Sequence, residues 1–282
     1  MAYKSLLTIS ADPVRAPQTF ATAASLTIAQ DGHLEALALG VDRAQLGYSY
    51  VGASAIILQA AQENATADVK AVEAAIQTAA RAAGPTLRWS MESAIAMIGG
   101  LADLIAQRAR FADLVVLTKP YGEKHGDEEE AIVETAMFEG QAPVLVLPDV
   151  PMDASNIGKR IVIAWNQSRE SMNAIRLALP FLKKADQVWI TIIDPPKHGA
   201  ERSDPGGALC QMLVRHGVRA EVSVLARTMP RISDVLLRHA RDVDADMLVM
   251  GAYGHSRFRQ AILGGATRNM LENTSIPVFM AH

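Results

Sequence analysis

The sequence predicts an α/β protein built of two tandem domains, each an open parallel sheet with helices on both faces. Three observations carry this prediction. The chain has 282 residues, which suits two domains of ordinary size. Short apolar runs in the first half recur in the second at a nearly constant offset, and the second half alternates strand with helix throughout.

The repeat rests on three pairs of segments. Ala112-Asp113-Leu114-Val115-Val116-Leu117 matches Ala245-Asp246-Met247-Leu248-Val249-Met250, and each is an apolar run after a basic amphipathic stretch, as expected of a buried parallel strand after a helix. Ala142-Pro143-Val144-Leu145-Val146-Leu147 matches Ile276-Pro277-Val278-Phe279-Met280-Ala281, so both halves end on a strand. Leu7 to Asp12 and Ile161 to Asn166 are strands that run into a polar turn and then a helix, with Asp12 and Asn166 at equivalent turn positions.

Between these anchors the second half predicts strands over 161–165, 187–193, 220–225 and 247–250, separated by helices over 169–182, 207–216 and 230–241. Parallel strands joined through helices take right-handed crossovers. Ser168 suits the N-cap of the first helix, because its hydroxyl can accept from a first-turn N–H, and Gly217 is placed to end the second. The first half repeats the plan with a longer, alanine-rich helical region over about 50–83, long enough to contain a break. Residues 148–158 combine two prolines, polar residues and a glycine and read as a linker. The domains are therefore expected over 1–148 and 159–282, with the linker over 149–158 between them.

Composition excludes several classes of function. A net charge of −3 provides no basic surface with which to displace the counterions of a nucleic acid, so no nucleic-acid partner is expected. Cys210 is the only cysteine, which rules out an intrachain disulfide and every multi-cysteine metal site and points to a small packed residue, not a nucleophile. The apolar run near Lys4 is too short for a secretory signal, and Asp103, Arg108, Arg110 and Asp113 interrupt the best candidate for a membrane span. A cytoplasmic protein without membrane contact is expected.

The segment after the 247–250 strand carries the chemistry. It reads Gly251-Ala252-Tyr253-Gly254-His255-Ser256 and continues to Gly264-Gly265-Ala266-Thr267, placing three glycines in the pattern G-x2-G-x9-G. Gly251 and Gly254 let a backbone approach a ligand without a Cβ in the way, and Gly264-Gly265 open a helix whose free N–H groups favour an anion. Ligands of open parallel sheets lie beyond the carboxyl ends of the strands, where this loop and the Asn166 turn both fall. The same glycines would also suit a plain turn and close helix packing. His255 could meet a phosphate or be merely a polar loop residue, and Arg257 and Arg259 could steer a polyphosphate or be a solvated face.

The β-strand turn at Asn166, the GAYGHS loop, the LGGATRNML segment and the closing IPVFM resemble the universal stress protein family. The second half carries the specific motif, while the first resembles the family in element order, the ADLVVL strand and the APVLVLP end. The resemblance implies five-stranded parallel sheets of the adenine nucleotide alpha hydrolase-like kind, a role in stress response or signalling, and dimers. It further implies ATP or a related adenine nucleotide, with Mg beside it, held by Ala164, Asn166, Ile193, Gly251, Gly254, His255, Gly264, Gly265, Ala266 and Thr267. Val144 to Leu147 and Val278 to Ala281 would then join the two halves as a pseudo-dimer. Two positions depart from the family: Gly265 stands where nucleotide binders have a Ser or Thr hydroxyl, and Asn166 where an aspartate is common.

The first half has lost the motif. Glu130 aligns with Gly264, and Asp127-Glu128-Glu129-Glu130 would sit at a helix N-terminus as a solvated start that complements the dipole and repels phosphate. No catalytic residue is assigned, because the chain has no evident nucleophile with a base and no P-loop lysine. A nucleotide-binding protein that is not an enzyme is the expected function. A slow nucleotide hydrolase and a ligand-free scaffold are the alternatives.

Overall fold

The computed structural model describes residues 2–43, 54–122, 125, 127–150, 152, 154–195, 204–252 and 265–282. The chain divides into two compact units, Tyr3–Ala142 and a second that includes Pro143–His282. Both are α/β, as the alternating pattern predicts.

In the first unit, β1 (Ser5–Ser10), β2 (His33–Asp42), β3 (Trp89–Met97) and β4 (Leu114–Thr118) form parallel ladders in the order β3-β2-β1-β4. β1 and β4 are almost wholly buried apolar runs, the signature of strands covered on both faces. The helices are α1 (Ala16–Ala29), α2 (Ser54–Ala83), α3 (Leu101–Ala109) and α4 (Asp127–Phe138). α2 is one unbroken helix over its described length, and its buried stripe of Ala65, Val69, Val72, Ile76 and Ala80 explains why. It lies so close to β2 that a Cβ on Gly40 would come within 2.3 Å of the Ala65 carbonyl oxygen.

In the second unit, β5 (Val144–Leu147), β6 (Arg160–Ala164), β7 (Gln187–Ile193), β8 (Ala220–Leu225), β9 (Met247–Gly251) and β10 (Val278–Ala281) lie in the order β5-β10-β9-β6-β7-β8. All pairings are parallel except β10 with β5, where Phe279 faces Leu145 in an antiparallel register. The core centres on Ile161, Ile163, Val188, Ile190, Leu248 and Phe279, whose ring meets Phe181 edge to face.

The helices of this unit are α5 (Arg169–Leu177), α6 (Leu179–Leu182), α7 (Gly207–Arg215), α8 (Ile232–Asp242) and α9 (Gly265–Asn273). Ser168 caps α5 as expected, its Oγ accepting from the Ser171 N–H at 3.1 Å. Gly217 ends α7 in the left-handed conformation, at φ +81°, with the Val218 N–H returning to the Leu213 carbonyl. One expectation needs correction. The helix over 169–182 is divided at Ala178, because Pro180 has no N–H to continue the ladder and its ring favours the start of a new helix.

Among the described residues, no helix is long and apolar enough to cross a membrane.

Candidate functional site

In the second unit, β6, β7 and β9 are neighbours, so their carboxyl ends bring Ala164, Ile193 and Gly251 to one edge of the sheet. Asn166 stands exposed in the turn after β6. Its Oδ1 accepts from the Ser168 N–H at 3.1 Å, which shapes the turn into α5 and leaves the Nδ2 donors without a partner among the described residues. Ser168 Oγ then caps the helix, so one short polar segment both turns the chain and opens α5. Trp165, between Ala164 and Asn166, is buried, its N–H bonded to the Thr191 carbonyl and its indole Nε1 without an acceptor among the described residues.

Ile193 ends β7 half-buried, opposite Leu225. The chain then turns through Asp194 at φ +45°, whose Oδ1 accepts from the Arg227 N–H at 3.0 Å. Gly251 has a definite packing role. A Cβ there would lie 2.3 Å from the Ser171 nitrogen, so only glycine lets the end of β9 pass under the first turn of α5.

The sequence gives no warning of the residues that secure the base of the loop after β9. Ala252 donates to the Ala281 carbonyl at 2.9 Å, the His282 ring nitrogen Nδ1 lies 3.0 Å from the Ala252 carbonyl, and Asn173 Nδ2 donates to the His282 carbonyl at 2.7 Å. Glu170 lies in the same first turn of α5, its carboxyl held below the usual range mainly by its own backbone N–H. Asn173, Glu170 and His282 carry no motif, and only their convergence in space marks them.

Gly265, Ala266 and Thr267 form the first turn of α9. Gly265 and Ala266 are exposed, and a Cβ on Gly265 would meet nothing within 4 Å among the described residues. Thr267 is buried at 4 % exposure. Gly254, His255, Gly264, Arg257 and Arg259 lie outside the described residues. Among the described residues, no group of three or more His, Cys, Asp or Glu could hold a metal ion. Cys210 is half-buried, and burial pushes its thiol up, which disfavours the nucleophilic thiolate.

The matching edge of the first unit has different chemistry. Asp12 accepts from the Val14 N–H at 2.8 Å and pairs with Arg15, whose guanidinium also lies 3.8 Å from Glu129. Glu128 pairs with Arg43, and the Tyr121 hydroxyl donates to Glu130 at 2.8 Å. The acidic start of α4 is thus not solvated as its sequence suggests. Glu129 is buried against Arg15, the N-cap residue of α1, more than a hundred residues away in sequence. The cavity lined by Asp12, Arg15, Thr118 and Glu129 holds about 10 Å³, room for one water and not for a phosphate.

Comparison with known proteins bears on residues 158–282, which match the model of the universal stress protein family. A universal stress protein of Synechocystis sp. is 33% identical over 96 residues, a match that spans 31% of this chain and 32% of that relative. The chain thus matches about a third of that relative's length. Among solved structures, a universal stress protein from Archaeoglobus fulgidus DSM 4304 superposes with a TM-score of 0.68 at 12% identity, covering 98% of this chain and 95% of the other. A putative universal stress protein from Pseudomonas aeruginosa UCBPP-PA14 gives a TM-score of 0.53 at 15% identity, over 99% of this chain and 93% of its own. The two structures share the α/β fold with this chain. Residues 158–282 are therefore similar to the universal stress protein family, and the likeness of the whole chain to the solved structures is one of fold.

Proposed function

We propose that the second unit binds an adenine nucleotide, ATP in the first instance, and that the protein acts in stress response or signalling as a nucleotide-dependent binding protein, not as an enzyme. The observation that carries this reading is the contrast between two equivalent sheet edges. In the first unit the position is filled by Glu129 and Arg15. In the second, Asn166 presents amide donors that have no partner among the described residues, and α9 opens on exposed Gly265 and Ala266. These groups fit the chemistry of a nucleotide, because an amide can serve a base or ribose and the N–H groups of a helix start suit a phosphate.

In this reading Asn166, Ala164 and the main chain of Ile193 receive the nucleoside, while Gly251, Gly254, His255, Gly264, Gly265, Ala266 and Thr267 surround the phosphates. Asn166 carries no charge with which to anchor a metal, so any Mg arrives with the phosphates. Calorimetric titration with Mg-ATP should give one site per chain, and saturating nucleotide should raise Tm. Absence of both heat and thermal shift at millimolar nucleotide would remove the proposal, and two sites per chain would contradict the closed first unit.

A further inference from the structure

A second cavity lies in the second unit, lined by α8, the turn into β9 and the connection from α9 to β10. It is an open groove of about 360 Å³, within the range of small-molecule sites. Its apolar lining comes from Met229, Leu237, Ala240, Ala245 and Ile276. Ala245 directly precedes β9 and Ile276 shortly precedes β10, so the groove extends to the amino-terminal edge of the sheet, away from the nucleotide residues of the proposed function.

The charged groups of the groove lie along one stripe of α8, while Asn273 and Ser275 line the opposite wall. Asp234 stands in the first turn and Arg241 in the last, seven residues on, which on a helix places them on the same face about 10 Å apart. That separation is too great for them to pair with each other. Neither makes an ion pair among the described residues: the Asp234 carboxylate has no hydrogen bond, and Arg241 uses only Nε, donating to the Leu237 carbonyl at 3.2 Å. The sign of each charge suits its end of the helix dipole, but the dipole does not require an apolar trough between them. Neighbouring Arg238 and Asp242, by contrast, pair with each other.

We propose that this groove is a binding site for a short amphipathic zwitterion, with its carboxylate on the Arg241 guanidinium, its ammonium on Asp234 and an aliphatic stem over Leu237 and Ala240. The planar guanidinium offers a carboxylate two parallel donors, and the stem removes its own apolar surface from water together with that of the groove. A molecule carrying one charge alone satisfies one end and leaves the other uncompensated.

The test uses 8-aminooctanoate as the probe, with octanoate and octylamine as single-charge controls, titrated into the full chain with ATP present and absent. The probe should bind with or without nucleotide and more tightly than either control. Arg241→Gln and Asp234→Asn should each weaken it by roughly tenfold or more, the size of effect expected when one hydrogen bond to a charged group is lost. Ser275→Trp, an exposed substitution on the wall of the groove, should block it while circular dichroism stays native. No binding at millimolar probe overturns the proposal, as does binding that all three substitutions leave unchanged. Equal affinity for octanoate removes Asp234, and with it the zwitterion.

Discussion

Asp113 and Asp246 are the matched aspartates of the repeated ADLVVL and ADMLVM segments, and they do the same work in both units. Asp113 Oδ2 accepts from the Lys4 and Ser5 N–H groups at 2.7 and 3.0 Å, at the start of β1. Asp246 accepts from Gly158, Lys159 and Arg160 at 2.8, 3.1 and 2.9 Å, at the start of β6. Each therefore closes the otherwise open N–H groups of the strand beside its own, which the repeat reveals as similarity and the structure explains as a cap. Asp246→Ala should cost about 1–3 kcal/mol, since it leaves donors without an acceptor, and urea denaturation would measure it. An unchanged midpoint would mean that water replaces the carboxylate at no cost.

Gly265 is the other residue with a definite expectation. Among the described residues nothing crowds it, so a hydroxyl side chain fits where the resemblance to the family's nucleotide binders would place one. Gly265→Ser should tighten ATP binding by about 1 kcal/mol, the net value of one added hydrogen bond, and should separately raise the Tm of the ligand-free protein by lowering chain entropy in the unfolded state. Calorimetry separates the two: tighter nucleotide binding supports the phosphate contact, and a higher Tm of the ligand-free protein alone argues against it. Gly251 opens the glycine motif and differs from Gly265 in structure, for its missing Cβ serves α5. A sequence motif cannot divide its glycines between ligand and packing, because the close approach that demands glycine comes from another element.

At the scale of elements, most of the second unit was legible. The strands over 187–193 and 220–225 match β7 and β8 residue for residue, because an apolar run bounded by turn residues admits few other readings. The break before α6 was not read, although Pro180 was in plain view; the apolar period continues across it and masks the missing N–H. The acidic start of α4 was misread for a different reason. Four consecutive carboxylates look like a solvated face, and only the fold brings Arg15 and Arg43 to them. The turn at the carboxyl end of β6 was legible at Asn166 through its polar residues, whereas Asn173 and His282 sit at positions whose sequence gives no hint of the loop base they secure.

At the scale of the molecule, stability should depend on pH through His239. Burial lowers its pKa from the ordinary histidine value, outweighing Asp242 and Glu221, and its Nε2 is buried without a partner among the described residues. Because the folded chain resists this proton and the unfolded chain takes it up near its normal pKa of about 6.5, the contribution is complete above that value and is lost as pH falls through it toward the folded pKa. His239→Gln should flatten the fall of Tm between about pH 7 and 5. An equally steep profile in the variant would assign the loss to other groups.

The antiparallel pairing of β5 with β10 also determines where the chain can be divided. The linker after Leu147 is the natural cut by composition, yet a fragment beginning there would lose the strand that hydrogen-bonds Val278 to Met280, exposing a short apolar edge fit to recruit a strand from another molecule. A fragment beginning at Pro143 keeps that edge covered. The covalent linker and the cooperative unit thus end at different residues, and a gene split at the former would yield an adhesive second half.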